Sequence, residues 1–210
     1  MAEHHQGDRG PRADARADGA RSNTGGQASK ATPLGAIAKF SAAGKRVPRK
    51  DLALQAIAYG NVYVAQIAIG ANAQQTLEAL REAEAYPGPS LILAYCHCIA
   101  HGFDLRYGMK QQHLATASGY WPLFRFNPAM SAIGESRFRL DSPRPSIPLE
   151  DYMYNELRFR GLRLTRPAEA AALLREAQSG VEEKYRLYEH LAKLRGGPAA
   201  PRTSASHRHS

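Results

Sequence analysis

An α/β fold is predicted by three features of this 210-residue chain. Residues 62–69 and 90–95 are apolar, β-branched runs of the kind that form buried strands, and the segment between them has helical spacing. Two such runs joined this closely imply a strand–helix–strand unit of right-handed, parallel topology. A long charged helical pattern follows near the end, set off from the strands by a proline-rich stretch. The expectation is a small parallel sheet, a C-terminal helical segment and disordered ends.

The elements follow in order. After Met1, residues 1–21 hold no large apolar side chain, and 196–210 (GGPAAPRTSASHRHS) read the same way, so neither stretch has anything to bury. Residues 51–59 start on Asp51, carry apolar side chains at 52, 54, 57 and 58, and stop at Gly60, which marks a short helix. Leu77, Leu80 and Ala83, between Asn72 and Pro87, define a helix over 72–86. Residues 121–126 read as a third strand. Residues 141–148 form a proline-rich connector, too poor in amide donors for a central strand. Helices are expected over 150–162 and 167–194, the second with Val181, Tyr185, Tyr188 and Leu191 on one face. Three strands make a very small sheet to bury on both faces, so the chain reads as part of something larger.

The net charge of +9 sits on the ends: residues 1–50 carry +6, 193–210 carry +4, and 51–192 carry −1. Basicity confined to solvated tails argues against nucleic-acid binding. The charge-free stretches 52–77 and 85–103 are interrupted by amides, prolines and histidines, so neither suits a bilayer. The start, MAEHHQGDRG, has no apolar core for a signal peptide. Cys96 and Cys98 are one residue apart and cannot staple distant segments. A soluble protein of a reducing, intracellular compartment is expected.

Two short motifs could carry chemistry. Asn23-Thr24-Gly25-Gly26-Gln27 places paired glycines between hydrogen-bonding side chains, which suits either a polar turn or close approach to an anionic ligand. Cys96-His97-Cys98 and His101 follow the strand ending at Tyr95, where ligands of α/β sheets gather. The cysteines could be inert core residues, part of a zinc site, or one ligand of a cluster completed from elsewhere. Neither a glycine-rich dinucleotide loop, a phosphate loop nor a nucleophile elbow is present.

Five blocks together carry a resemblance: SNTGGQASKATPLGAIAKFSAAGKR (22–46), YGNVYVAQIAIGAN (59–72), EAEAYPGPSLILAY (82–95), CIAHGFDLRYGMKQQ (98–112) and SGYWPLFRFNP (118–128). In this order they resemble the C-terminal thiamine-diphosphate domain of pyruvate:ferredoxin (flavodoxin) oxidoreductase, from Ser22 to about Ala192. The resemblance implies oxidative decarboxylation of pyruvate to acetyl-CoA and CO2 in a cytoplasmic homodimer. It implies thiamine diphosphate, Mg2+ and [4Fe-4S] clusters as cofactors, with coenzyme A and ferredoxin or flavodoxin as partners. Ser22 and Asn23 match the thiamine-contacting motif, Asn23 being the residue held near the reacting carbon and important for activity. Cys98 matches a ligand of the cluster nearest the thiamine, whereas Cys96 falls at a variable position.

The chain departs from the family before Ser22. Ala17-Asp18-Gly19-Ala20-Arg21 stands where the family has an Asp-Thr-Glu-Val-like stretch, no Gly-Asp-Gly motif precedes it, and Asp18 takes no Mg2+ role. The other three cluster cysteines are also absent. The expectation is therefore a fragment, inactive alone: 1–21 unrelated and disordered, 22–128 the C-terminal part of the thiamine-diphosphate domain, 129–195 connector and helices, 196–210 a disordered tail. The alternative is a non-catalytic subunit or interaction module that docks onto the rest of a 2-oxoacid oxidoreductase.

Overall fold

The computed structural model describes residues 28–39 and 41–194, with the backbone of 14–18. Helix α1 (Leu52–Ile57) begins where the Asp51 carboxylate accepts the Leu54 amide at 3.0 Å. Strand β2 (Tyr63–Ile67) is buried along its whole length. Helix α2 (Ala73–Ala85) opens on the Asn72 side chain, which accepts the Gln75 amide at 2.9 Å, and ends just before Pro87. Strand β3 (Ser90–Tyr95) then runs parallel to β2, from Tyr63↔Ser90 to Ile67↔Ala94. This strand–helix–strand core is the one the sequence predicts.

The leucines that mark α2 in the sequence are not its buried face. Leu77 and Leu80 are 42% and 45% exposed, while Thr76, Ala79, Ala83 and Gln75 face the sheet. Small side chains let the helix approach closely enough for the Tyr63 hydroxyl to donate to the Ala79 carbonyl at 3.2 Å.

The sheet is mixed, not parallel: with β1 (Asp14–Asp18), β4 (Phe124–Phe126) and β5 (Phe138–Leu140) its order is β1-β3-β2-β4-β5. Strand β4 (Phe124–Phe126) runs antiparallel to β2, and β5 (Phe138–Leu140), which the sequence reading missed, antiparallel to β4. The reason lies in helix α3 (Gly108–Ala117). Gln112 on α3 bonds the Gly70 amide and the Tyr95 carbonyl, so α3 packs at the carboxyl ends of β2 and β3. The chain thus enters β4 from that same end, where Trp121 donates to the Ile67 carbonyl at 3.0 Å. Asp14–Asp18 forms β1, paired in parallel with β3, within a stretch read as unstructured. An open strand edge offers backbone partners to a segment with no large apolar side chain. The rest of 1–21, all of 196–210, and Ser22 and Asn23 lie outside the described residues.

One expected helix over 150–162 is two, α4 (Leu149–Met153) and α5 (Leu157–Thr165). The break turns the Glu156 carboxylate into the interior, where it is fully buried. Helix α6 (Pro167–Lys193) lays Tyr185 and Tyr188 on the body, as its apolar face predicts. Tyr188 packs against Phe124 and Phe138 at centroid distances of 5.0 and 5.3 Å. A buried Arg125 ties α2 to the antiparallel strands: it forks onto Asp141 through two bonds of 2.9 Å and reaches Glu82 at 2.6 Å. No helix among the described residues is long and apolar enough to cross a membrane.

Asp51 joins α1 to α6, since its carboxylate also meets Lys184 Nζ at 2.6 Å and accepts from the Tyr188 hydroxyl at 3.3 Å. Burial works against the charge, but Lys184 and the Leu54 amide outweigh it and hold Asp51 below the ordinary aspartate value. A depressed carboxylate stabilises the fold above its unfolded pKa, and that contribution disappears as pH falls through the folded one. Asp51→Ala is therefore expected to lose about 1–2 kcal/mol at pH 7. The gap from the parent chain should begin to narrow as pH drops below about 4. Urea midpoints at pH 7 and pH 3 check both statements; a gap as wide at pH 3 as at pH 7 counts against the ionised cap.

Candidate functional site

The carboxyl ends of β2 and β3 are built for close approach. Glycine is required at 70, where a Cβ would lie 2.7 Å from the Met109 carbonyl, and at Gly108 the missing Cβ leaves room for the His97 ring, which would otherwise have to move. Gln112 fills the space between, donating to Tyr95 O at 3.4 Å and accepting from the Gly70 amide at 2.8 Å. Its amide also lies 3.4 Å from His97 Nδ1. Two strand ends and the first turns of α3 are thereby locked together.

Beyond β3 the chain passes through Cys96 and His97 to Cys98, which opens the short turn Ile99–His101. Gly102 closes that turn in the left-handed region, φ 72°, and a Cβ there would collide with Leu157 Cβ. Both cysteines are free and half-buried. The Cys96 thiol donates to the His97 carbonyl at 3.4 Å, whereas no bond engages the Cys98 thiol among the described residues. A half-buried, uncommitted thiol suits a soft metal such as the iron of a cluster. Among the described residues, however, no three His, Cys, Asp or Glu side chains gather to hold a metal ion. A zinc module built from Cys96, His97, Cys98 and His101 is not assembled, because His101 turns inward, its Nδ1 4.0 Å from Glu156.

Under this loop lies a buried polar cluster that sequence reading did not find. Glu156 Oε1 accepts from Gln111 Nε2 at 3.0 Å and from the Tyr95 hydroxyl at 3.3 Å, and its Oε2 pairs with Arg158. The Tyr95 and Tyr152 hydroxyls are 2.8 Å apart. Burial, and then the Glu156 charge, push both tyrosines well above their ordinary value, so they stay neutral at physiological pH. Burial disfavours the Arg158 cation, but Glu156 more than offsets this and raises it. In sequence, Asn155-Glu156-Leu157-Arg158 has the look of a solvated helix face, so nothing marks Glu156 as interior. Ser22 and Asn23 cannot be placed relative to this cluster, being outside the described residues.

Fold and site together define an α/β unit presenting a free thiol at the carboxyl end of a parallel strand pair. No family model matches the chain. It is 55% identical over 171 residues to a pyruvate-flavodoxin oxidoreductase of Rhodospirillum rubrum, covering 81% of this chain and 14% of that protein. A pyruvate-flavodoxin oxidoreductase of Trichormus variabilis is 52% identical over 171 residues, again 81% and 14%. A pyruvate:ferredoxin oxidoreductase of Moorella thermoacetica is 44% identical over 172 residues, covering 82% and 15%. The chain is homologous to one region of these larger oxidoreductases and spans about 14–15% of their length.

Proposed function

We propose that this chain is a portion of a pyruvate:ferredoxin or pyruvate:flavodoxin oxidoreductase, contributing the C-terminal part of its thiamine-diphosphate domain. The observation that carries the reading is 55% identity over 171 residues to a protein of that name. In the complete enzyme thiamine diphosphate, with Mg2+, supplies the electron sink for pyruvate decarboxylation and a [4Fe-4S] cluster takes up the electrons. Asn23, with Ser22, would present its amide to the thiamine near the reacting carbon. Cys98 would hold one cluster iron through its thiolate, the loop after β3 fixing its place. With 14% of the relative's length aligned, the other cluster ligands and the contacts to pyruvate, coenzyme A and the acceptor protein would come from the remainder of a dimeric enzyme. Residues 22–128 would then be catalytic-domain sequence and 129–195 its supporting helices, the whole acting in the cytoplasm and turning over only within that assembly.

The test compares the two thiols in the enzyme assembled with the rest of its sequence. Cys98→Ser should lose or destabilise one cluster and slow electron transfer with thiamine binding kept, since serine is a poor iron ligand. Cys96→Ser should leave iron content nearly unchanged, its thiol being turned to the His97 carbonyl. Iron per chain and low-temperature EPR of the reduced protein are the readouts. Equal iron loss in both variants, or none in either, sinks the assignment.

A further inference from the structure

The segment bearing Cys98 meets one buried carboxylate on both flanks, through a hydrogen bond upstream and a longer polar contact downstream. Three residues before Cys98, the Tyr95 hydroxyl donates to Glu156 Oε1 at 3.3 Å. Three residues after it, His101, only 2% exposed, brings Nδ1 within 4.0 Å of the same oxygen. The His101 amide in turn bonds the Cys98 carbonyl at 3.0 Å, and the Leu157 amide bonds the Gly102 carbonyl at 3.1 Å. Gly102 packs so tightly on Leu157 that no side chain fits between them. Arg158 neutralises the carboxylate and Gln111 holds it from the α3 side, so its position is over-determined.

We infer that Glu156 is a positioning residue for Cys98: it gathers the flanks of the Cys96–Gly102 loop onto the α4–α5 break and thereby sets where the Cys98 thiol stands. The inference rests on the reading of Cys98 as the functional thiol. A buried, ionised acceptor is what this place demands, because Gln111, Tyr95 and Arg158 all approach it as donors. An amide here would turn a donor nitrogen toward one of those donors and leave Arg158 without its counter-charge. Cys96 depends less on the carboxylate, since it follows directly on β3 whereas Cys98 lies nearer the His101 contact.

The experiment labels both thiols of the iron-free 210-residue chain with iodoacetamide and reads each rate by mass spectrometry. Glu156→Gln is expected to raise the Cys98 rate about tenfold, through local opening of the loop, and the Cys96 rate less than about twofold. Glu156→Asp, which keeps the charge, should recover most of the protection. If Glu156→Gln does not fold, His101→Leu carries the decision: it removes only the downstream polar contact with the carboxylate and should also speed Cys98 selectively, while His101→Gln, which keeps a polar side chain facing that carboxylate, should not. Equal acceleration of both thiols, or an unchanged Cys98 rate in a folded variant, overturns the inference. Labelling of the iron-free chain and iron content of the assembled enzyme fail independently, so loss of the cluster reading is distinguishable from loss of this one.

Discussion

Replacing Arg125 by methionine is expected to remove about 3–5 kcal/mol of stability, the range for deleting one partner of a buried ion pair. Arg125 is 4% exposed and Asp141 7%, and the guanidinium forks onto Asp141 through two bonds of 2.9 Å. Burial opposes the Arg125 charge, yet Asp141 and Glu82 more than compensate and raise its pKa. Methionine fills much of the volume but leaves Asp141 as a buried anion whose nearest remaining aids are the Gln75 amide at 3.0 Å and the exposed Arg139. Glu82 and Glu78 would lose a partner as well, but their side chains are more than a third exposed and water can take over. Adding Asp141→Asn should therefore return a large part of the loss, because the neutral amide needs no counter-ion. Urea unfolding of the parent, both single variants and the double variant gives the coupling energy directly. Additive effects would show that the fork contributes packing rather than charge compensation.

That cluster also shows which parts of the fold could be read in advance. Strands β2 and β3 were legible because five consecutive buried positions in β2 leave only apolar side chains and one amide, Gln66, in the run. Helix α6 was legible because Val181, Tyr185, Tyr188 and Leu191 share one face opposite the charges. The sense of β4 was not, because it depends on where α3 delivers the chain, and that is decided by tertiary bonds from Gln112 to residues 42 and 17 positions away. Strand β5 was hidden for another reason: three residues, Phe-Arg-Leu, are too short for alternation to stand out. Of the candidate site, the sequence showed Cys98 and the strand it follows, but the Cys96 thiol's own bond and the inward turn of His101 are invisible without coordinates. Glu156 illustrates the limit. A glutamate is almost never fully buried unless paired, and its donors Tyr95 and Gln111 lie 61 and 45 residues away.

Trp121→Ala should be as damaging as the Arg125 change, about 3–5 kcal/mol, because a fully buried indole is removed from a core that cannot close around the gap. Three contacts go with it. The indole N–H holds the Ile67 carbonyl at 3.0 Å, the ring meets Tyr95 edge-on at a centroid distance of 5.5 Å, and the Arg49 guanidinium lies 4.7 Å from its centre. Ile67 and Tyr95 are the last residues of β2 and β3, so Trp121 braces two neighbouring strand ends, and the Cys98 loop departs from the second of them. Trp121→Phe separates the contributions: most of the ring area stays, the Ile67 carbonyl loses its partner, and the loss should be only about 1–2 kcal/mol. Because Trp121 is the sole tryptophan, parent unfolding can be followed by its emission, with circular dichroism serving the variants. The brace makes a further demand on Trp121→Ala, that iodoacetamide reach Cys98 faster at temperatures where the variant is still folded. A destabilised variant whose Cys98 rate stays at the parent value would confine Trp121 to the core and detach it from the site.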